Sequence, residues 1–279
     1  METQSGYFSR GSARLYYEVA GGGQPIVLLH AGVADSRQWN NEFPALARHY
    51  RVLRYDLRGY GKSDPVPGDF SPLADLVALL DYLGFDEPLV LIGCSQGGML
   101  AMEFALEHPS RAKALVMVGS FPSGLRLEAP DHPKEAEAAA AYAAGDLDLV
   151  AELEAQIWFD GMDRTPDQVD QAMRKLALDM NRIALANEAR LIAQHLGRRL
   201  PDTAVPAVAR LAELHVPVLV VIGDHDIPYI QAAADYMLAH LPAAQRAVIA
   251  DAAHLPNMDH PAQFLETIST FLDQVVPQA

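Results

Sequence analysis

Residues 88–107 read PLVLIGCSQGGMLAMEFALE. The first six are almost continuously apolar, as in a strand buried on both faces. The last twelve are apolar at helical spacing and are stopped by His108-Pro109, because a residue before proline is pushed out of the helical region. Between them Gly93-Cys94-Ser95-Gln96-Gly97 fits G-x-S-x-G, a sharp strand-to-helix turn that exposes a serine. A serine at such a turn sits at strained backbone angles, and a side chain two residues to either side would collide, so glycine stands at both places. The turn also aims the N-terminus of the following helix at the hydroxyl, where backbone N–H groups favour a developing anion. Cys94 is the competing nucleophile. It would need glycines at 92 and 96, where the sequence has Ile92 and Gln96, so the frame selects Ser95 and leaves Cys94 as a small packed side chain.

Working outward, residues 26–30 (IVLLH), 51–56 (RVLRYD) and 113–119 (KALVMVG) read as further buried strands. Residues 13–19 alternate and are expected to form a hairpin with 6–9. Residues 71–83 read as a helix with Ser71 as N-cap, Pro72 at the first helical position and Gly84 as C-cap. Strands returning singly, separated by helices, imply an α/β protein with a parallel sheet covered on both faces. After Phe121 the pattern breaks: 122–208 offers no strand, and helices are expected over 135–144, 147–159, 166–180 and 187–196. Alternation then resumes with a strand at 217–223 (PVLVVIG), a helix at 229–240, a strand at 246–251 and a closing helix at 261–276. The expected organisation is a core made of 1–121 and 209–279, interrupted by a helical insertion over 122–208.

Composition narrows the class. The 279 residues hold 21 Lys+Arg against 36 Asp+Glu, for a net charge of −15, and half are apolar. That is too apolar for a disordered chain, and one cysteine builds neither a disulfide framework nor a cysteine-rich zinc site. No apolar run approaches a membrane span, residues 1–10 do not resemble a signal peptide, and an acidic chain disfavours nucleic acid. The expectation is a soluble cytoplasmic protein with no membrane or nucleic-acid partner. Residues 121–163 hold ten acidic groups against two basic ones, ordinarily a solvated helical face.

A serine hydroxyl needs a base, and the base an orienting acid; at this kind of turn they follow in the order serine, acid, histidine. Histidines after Ser95 stand at 108, 132, 195, 215, 225, 240, 254 and 260. His108 and His240 end helices, and His132 and His195 fall in the insertion. His254 lies in the short loop after the last strand, on the sheet edge where ligands and catalytic groups collect, and is taken as the general base. Its acid should follow the preceding strand, where Asp224 and Asp226 flank His225. Three adjacent residues plus His254 do not make first-row metal spacing, so no metal is expected.

Five stretches together resemble the α/β-hydrolase family, in its cap-bearing branch of serine esterases, lactonases and carbon–carbon bond hydrolases: LLHAG at 28–32 with Trp39, RYDLRGYGKS at 54–63, GCSQGG at 93–98, GDHD at 223–226 and AHLPNMDHP at 253–261. The resemblance implies a mostly parallel eight-stranded sheet flanked by helices, with 122–208 as a helical cap. It implies Asp226, the last residue of the G-x-x-D turn, as the acid. It also implies an oxyanion hole from the backbone N–H groups of Gly32 and Gln96, although Ala31 stands where the family usually has glycine. Ser95 separates the chain from the dehalogenase and epoxide-hydrolase branches, which carry aspartate at the turn.

His30 is expected to hold the oxyanion loop, Arg58, Tyr60 and Asp64 to form an ion-paired turn, and Trp39 to pack beneath. In the insertion Trp158, Phe159, Met162, Met173 and Met180 lie at helical spacings. Packing is their ordinary reading; Trp158, Phe159 and Met162 are candidates for a substrate pocket. The expected function is hydrolysis of a small or medium, mostly apolar ester or lactone through a Ser95–His254–Asp226 acyl-enzyme mechanism with no cofactor. The alternatives are cleavage of a carbon–carbon bond in a vinylogous diketone, or a slow-turnover small-molecule receptor. If the carboxylates of 121–163, Glu152 and Glu154 among them, face the entrance, anionic substrates would be repelled.

Overall fold

A computed structural model describes residues 2–65, 68–194 and 198–276. These form an eight-stranded sheet from β1 (Thr3–Arg10), β2 (Ala13–Ala20), β3 (Pro25–Leu29), β4 (Arg51–Tyr55), β5 (Leu89–Cys94), β6 (Ala112–Val118), β7 (Val218–Gly223) and β8 (Ala244–Ile249). The spatial order is β1-β2-β4-β3-β5-β6-β7-β8. The first two pairings are antiparallel and all later ones parallel. β3 therefore lies between β4 and β5, and the loops leaving the C-terminal ends of β3 and β5 start side by side at the paired residues Leu29 and Gly93. That reversal of strand order opens the crevice in which open α/β sheets bind ligands.

Side chains alternate across the sheet with period two, and both faces are covered. Val27, Leu29, Leu89, Leu91, Leu115 and Met117 face one core, which α2 (Pro72–Leu83), α3 (Gln96–Glu107) and α7 (Pro228–His240) complete. Ile26, Leu28, Val90, Ile92, Val116 and Val118 face the other, closed by α1 (Glu42–Leu46) and α9 (Pro261–Val275). α2 has the expected ends: Ser71 Oγ accepts from the Ala74 N–H at 3.1 Å, and Gly84, at φ 65°, donates to the carbonyls of Leu80 and Asp81. No helix among the described residues is long and apolar enough to cross a membrane.

Between β6 and β7 lie α4 (Glu135–Ala144), α5 (Leu147–Ala155) and α6 (Gln171–Ala193). Two expected boundaries are corrected here. The helices anticipated over 166–180 and 187–196 are one: a short 3-10 turn, Pro166–Gln168, precedes Asp170, whose side chain caps a 23-residue α6. No glycine or proline interrupts α6. Asn181 in its middle spends its amide on Glu154 of α5 at 2.7 Å rather than on the helix backbone, where it would compete with helical bonding. His195 and Leu196 lie outside the described residues. The helix anticipated over 147–159 remains α-helical only to Ala155, then widens into a π-helical turn, Gln156–Asp160, ended by Gly161 at φ 84°. Such turns re-aim side chains and recur at functional sites; this one carries Trp158.

Candidate active site

Ser95 stands between β5 and α3 at φ 50°, ψ −115°. Its N–H donates to the Val118 carbonyl at 2.8 Å, and its own carbonyl accepts from Ser120 Oγ at 2.7 Å, so neighbouring β6 and the residues after it hold the strained turn. The glycines are required by backbone, not by side chains. A Cβ on Gly93 would lie 2.3 Å from the Gly97 carbonyl oxygen, and one on Gly97 would lie 2.2 Å from the Leu29 carbonyl oxygen. Neither backbone segment can retreat, since Gly97 lies in the first turn of α3 and Leu29 in β3. Gly97→Ala is expected to destabilise the fold by about 2 kcal/mol through overpacking and to displace the serine. A urea midpoint unchanged from wild type would show that the turn tolerates the methyl group.

His254 follows β8 and Asp226 follows β7. His254 Nδ1 and Asp226 Oδ2 are 2.9 Å apart, and their side chains are 3% and 0% exposed. The second carboxylate oxygen accepts from the Ile227 N–H at 2.8 Å. A carboxylate so placed accepts a hydrogen bond from Nδ1–H and leaves Nε2 as the basic nitrogen. Asp224 goes elsewhere: its Oδ1 accepts from the Ala252 N–H at 3.2 Å and ties down the start of the loop that carries His254. The His254 N–H donates to the Trp158 carbonyl at 3.2 Å, and the Trp158 ring packs against the imidazole with centroids 4.7 Å apart. Ser95, His254 and Trp158 line one cavity of about 770 Å³, with Phe121, Ile227 and Tyr229 among its apolar walls and Asp131, Glu135 and Glu154 among its polar ones.

Cys94 is fully buried beside Ser95. Its thiol donates to the His254 carbonyl at 3.6 Å, and burial pushes its pKa up to about 12, which keeps it a thiol.

The loop after β3 is held from beneath. His30 Nδ1–H donates to the Ala31 carbonyl at 2.8 Å and Nε2 accepts from the Leu57 N–H at 2.9 Å, so both ring nitrogens are occupied in a neutral imidazole; burial lowers its pKa accordingly. The Ala31 N–H donates to Gln38 Oε1 at 2.9 Å. Gly32 follows, its Cα backed by the Gln96 side chain, and both residues border a second cavity of about 400 Å³. Gln96 is the first residue of α3, where helical N–H groups have no carbonyl within the helix to bond. Gln38 Nε2 in turn donates to Asn257 Oδ1 at 3.1 Å, and Asn257 Nδ2 donates to the Gln38 carbonyl at 2.9 Å and to buried Glu42 at 3.3 Å. This relay joins the loop after β3 to α8 (Pro256–Asp259), which begins two residues after His254. Sequence reasoning missed Gln38, Glu42 and Asn257; the one signal was their unusual place as polar residues among Trp39, Phe43 and Met258. Gln38→Leu leaves the buried Ala31 N–H without its acceptor. The expected loss is about 1–3 kcal/mol of stability, with a fall of about tenfold in kcat/KM as the loop drifts; denaturant titration and steady-state kinetics check both.

The remaining candidates are placed as follows. Arg58 forms a two-pronged ion pair with Asp75, both contacts at 2.9 Å, and Asp64 pairs with Arg14. Trp39 is fully buried against Phe264. Phe159 is packed in the core rather than on the cavity that holds Ser95, together with Met180, and Met162 packs partly buried with its N–H on the His225 carbonyl. Of the three pocket candidates the structure therefore brings only Trp158 to Ser95 and His254. Glu152 does not face the entrance: it pairs with Arg174, which also holds Asp160. Glu154 does face the cavity. His132 accepts the Lys134 N–H, and His240 bonds the Tyr236 carbonyl and stacks on that ring. Among the described residues no group of three His, Cys, Asp or Glu could hold a metal ion.

The family model described as alpha/beta hydrolase fold matches residues 24–261. A pimeloyl-[acyl-carrier protein] methyl ester esterase of Aeromonas hydrophila is 32% identical over 258 residues, covering 90% of this chain and 96% of that one. A 2-hydroxy-6-oxo-6-(2'-aminophenyl)hexa-2,4-dienoic acid hydrolase of Metapseudomonas resinovorans is 33% identical over 137 residues, so the chain spans 47% of that relative's length. Among solved structures, a thermophilic esterase of Thermogutta terrifontis superposes with a TM-score of 0.75 at 25% identity, covering 98% of this chain and 99% of that one. On the extent of these matches and the sheet that carries them, the chain belongs to the alpha/beta hydrolase fold family and is a hydrolase of that fold.

Proposed function

We propose that the chain is a serine hydrolase that cleaves a small or medium, mostly apolar carboxylic ester or lactone. The observation that carries this reading is the buried Asp226–His254 pair on the same cavity as the strained Ser95 turn. Ser95 Oγ attacks the carbonyl carbon while its proton passes to His254 Nε2. The carbonyl oxygen takes up the negative charge and receives hydrogen bonds from the N–H groups of Gly32 and Gln96. The tetrahedral adduct collapses, the bond to the alkoxy oxygen breaks, and that oxygen leaves with the proton from His254. Water then attacks the acyl-enzyme, giving its proton to the same nitrogen; the bond to Ser95 Oγ breaks, Oγ takes that proton back from His254, and the acid is released. Asp226 keeps the imidazole in the right tautomer and stabilises its charged form. Residues 122–208 act as a cap on a core of 1–121 and 209–279, with Trp158 closing the cavity over His254.

A substrate without a carboxylate fits the walls of the Ser95 cavity. Asp131, Glu135 and Glu154 border the Ser95 cavity and no lysine or arginine does, among the described residues. Within this cavity nothing offers the cation that the carboxylate of a dienoate asks for. Kinetics on a panel of aliphatic esters, lactones and vinylogous diketones tests the reading. Turnover of neutral esters or lactones well above that of the diketones is the expected result; preferred cleavage of a diketone acid, or near-stoichiometric turnover throughout, would replace it by one of the two alternatives.

A further inference from the structure

Glu154 borders both the first cavity and the second, of about 400 Å³, which Gly32 and Gln96 also line. On the proposed serine-hydrolase reading, on which this inference rests, a substrate whose carbonyl sits between Ser95 and those two residues has one arm for each cavity. The second cavity is not simply greasy. Leu57, Phe70, Leu185 and Leu191 supply apolar wall, and three arginines supply charge. Each arginine already has a carboxylate partner: Arg58 pairs with Asp75, which Arg10 shares, Arg198 with Asp69 and Arg199 with Asp202. Glu154 Oε2 accepts one neutral hydrogen bond, from Asn181 Nδ2 at 2.7 Å, and among the described residues neither Glu154 nor Glu188 has a cation at ion-pair distance. A half-buried carboxylate with only an amide beside it lacks the counter-charge that burial calls for. Burial raises its pKa, and the nearby Glu188 raises it further.

We propose that this cavity is a subsite for a cationic, hydrogen-bond-donating group, an alkylammonium borne on one arm of the ester, held by the Glu154 carboxylate with Asn181 fixing the carboxylate's position. The flexible apolar stretch of such an arm lies along the leucine wall and its ammonium replaces the missing counter-charge. Specificity then comes from a buried polar group that is satisfied by one substrate and left unpaired by its isostere, the arrangement that discriminates most strongly.

The test uses pairs of esters of equal length whose far end is ammonium, methyl or carboxylate, one series with that end on the acyl arm and one with it on the alkoxy arm. For wild type, kcat/KM for the ammonium ester should exceed that for the methyl ester at least tenfold in one series, with the carboxylate ester slowest. In Glu154→Gln the ammonium-to-methyl ratio should fall close to one; the ratio cancels any general loss of activity. A wild-type ratio near one in both series overturns the proposal, as does a high ratio that Glu154→Gln retains. If Glu154→Gln does not fold, the wild-type ratio decides. Calorimetric binding of n-pentylammonium separates failure here from failure of the serine-hydrolase reading, because it needs no turnover. Binding that is at least tenfold weaker in Glu154→Gln supports the subsite even if no ester is cleaved, and no binding to wild type overturns it.

Discussion

Ser95→Ala is expected to lower kcat for short p-nitrophenyl esters by about 10⁴-fold or more, since members of a triad act as a unit, and to abolish labelling by a fluorophosphonate. The fold should survive. The interactions that hold the turn are backbone ones: the Ser95 N–H on the Val118 carbonyl and the Ser95 carbonyl under Ser120 Oγ. Alanine at φ 50° is no more strained than serine there. Intrinsic fluorescence and the thermal midpoint should therefore stay close to wild type while activity vanishes, with KM of any residual reaction little changed. The outcome that sinks the assignment is labelling that persists in Ser95→Ala and disappears in Cys94→Ala. The structure argues against it on two counts, because Cys94 is fully buried and its thiol is held protonated against the His254 carbonyl.

What could be read from the sequence was local. The turn around Ser95 is legible because two glycines answer to two backbone collisions within five residues. The placement of His254 and Asp226 follows from which strand each residue leaves, a matter of counting apolar runs. The choice between Asp224 and Asp226 came from family resemblance, and only the structure gives its physical content: one carboxylate meets the imidazole and the other meets the Ala252 N–H. Contacts across long separations were not legible. Gln38 and Asn257 are 219 residues apart and no spacing pattern links them. The insertion was read least well for a related reason. α6 was expected as two helices with a gap over 181–186, yet Asn181 at the start of that gap is helical and its amide serves Glu154 on a different helix. The acidic block was read as one electrostatic feature, but Glu152 is committed to Arg174 while Glu154, two residues on, faces the cavities. Helical rotation separates them, and side-chain partners, not net charge, decide which carboxylate a substrate meets.

Glu42 leads to an expected result of comparable size in stability rather than rate. It is fully buried beneath the loop after β3, and burial raises its pKa from 4.5 to about 8. Between those values the folded chain holds a proton that the unfolded chain has released. Stability must then fall as pH rises from about 4.5 to about 8, and flatten on either side. A gap of this size corresponds to roughly 5 kcal/mol, a large share of a domain's net stability. Glu42→Gln removes the ionisation while keeping an oxygen that can accept from Asn257 Nδ2, the bond now made at 3.3 Å. Glu42 Oε1 has no hydrogen-bond partner, so the new amide nitrogen at that place lacks an acceptor, at about 1–3 kcal/mol. That penalty does not depend on pH. The variant should therefore be the less stable protein at pH 5 and the more stable one at pH 9, with the two curves crossing between. Urea unfolding across that range reads the difference directly, because all other titrating groups contribute equally to both proteins. Parallel curves would mean that Glu42 titrates alike in the folded and unfolded chains, and that Asn257 is positioned without help from a neutral carboxyl.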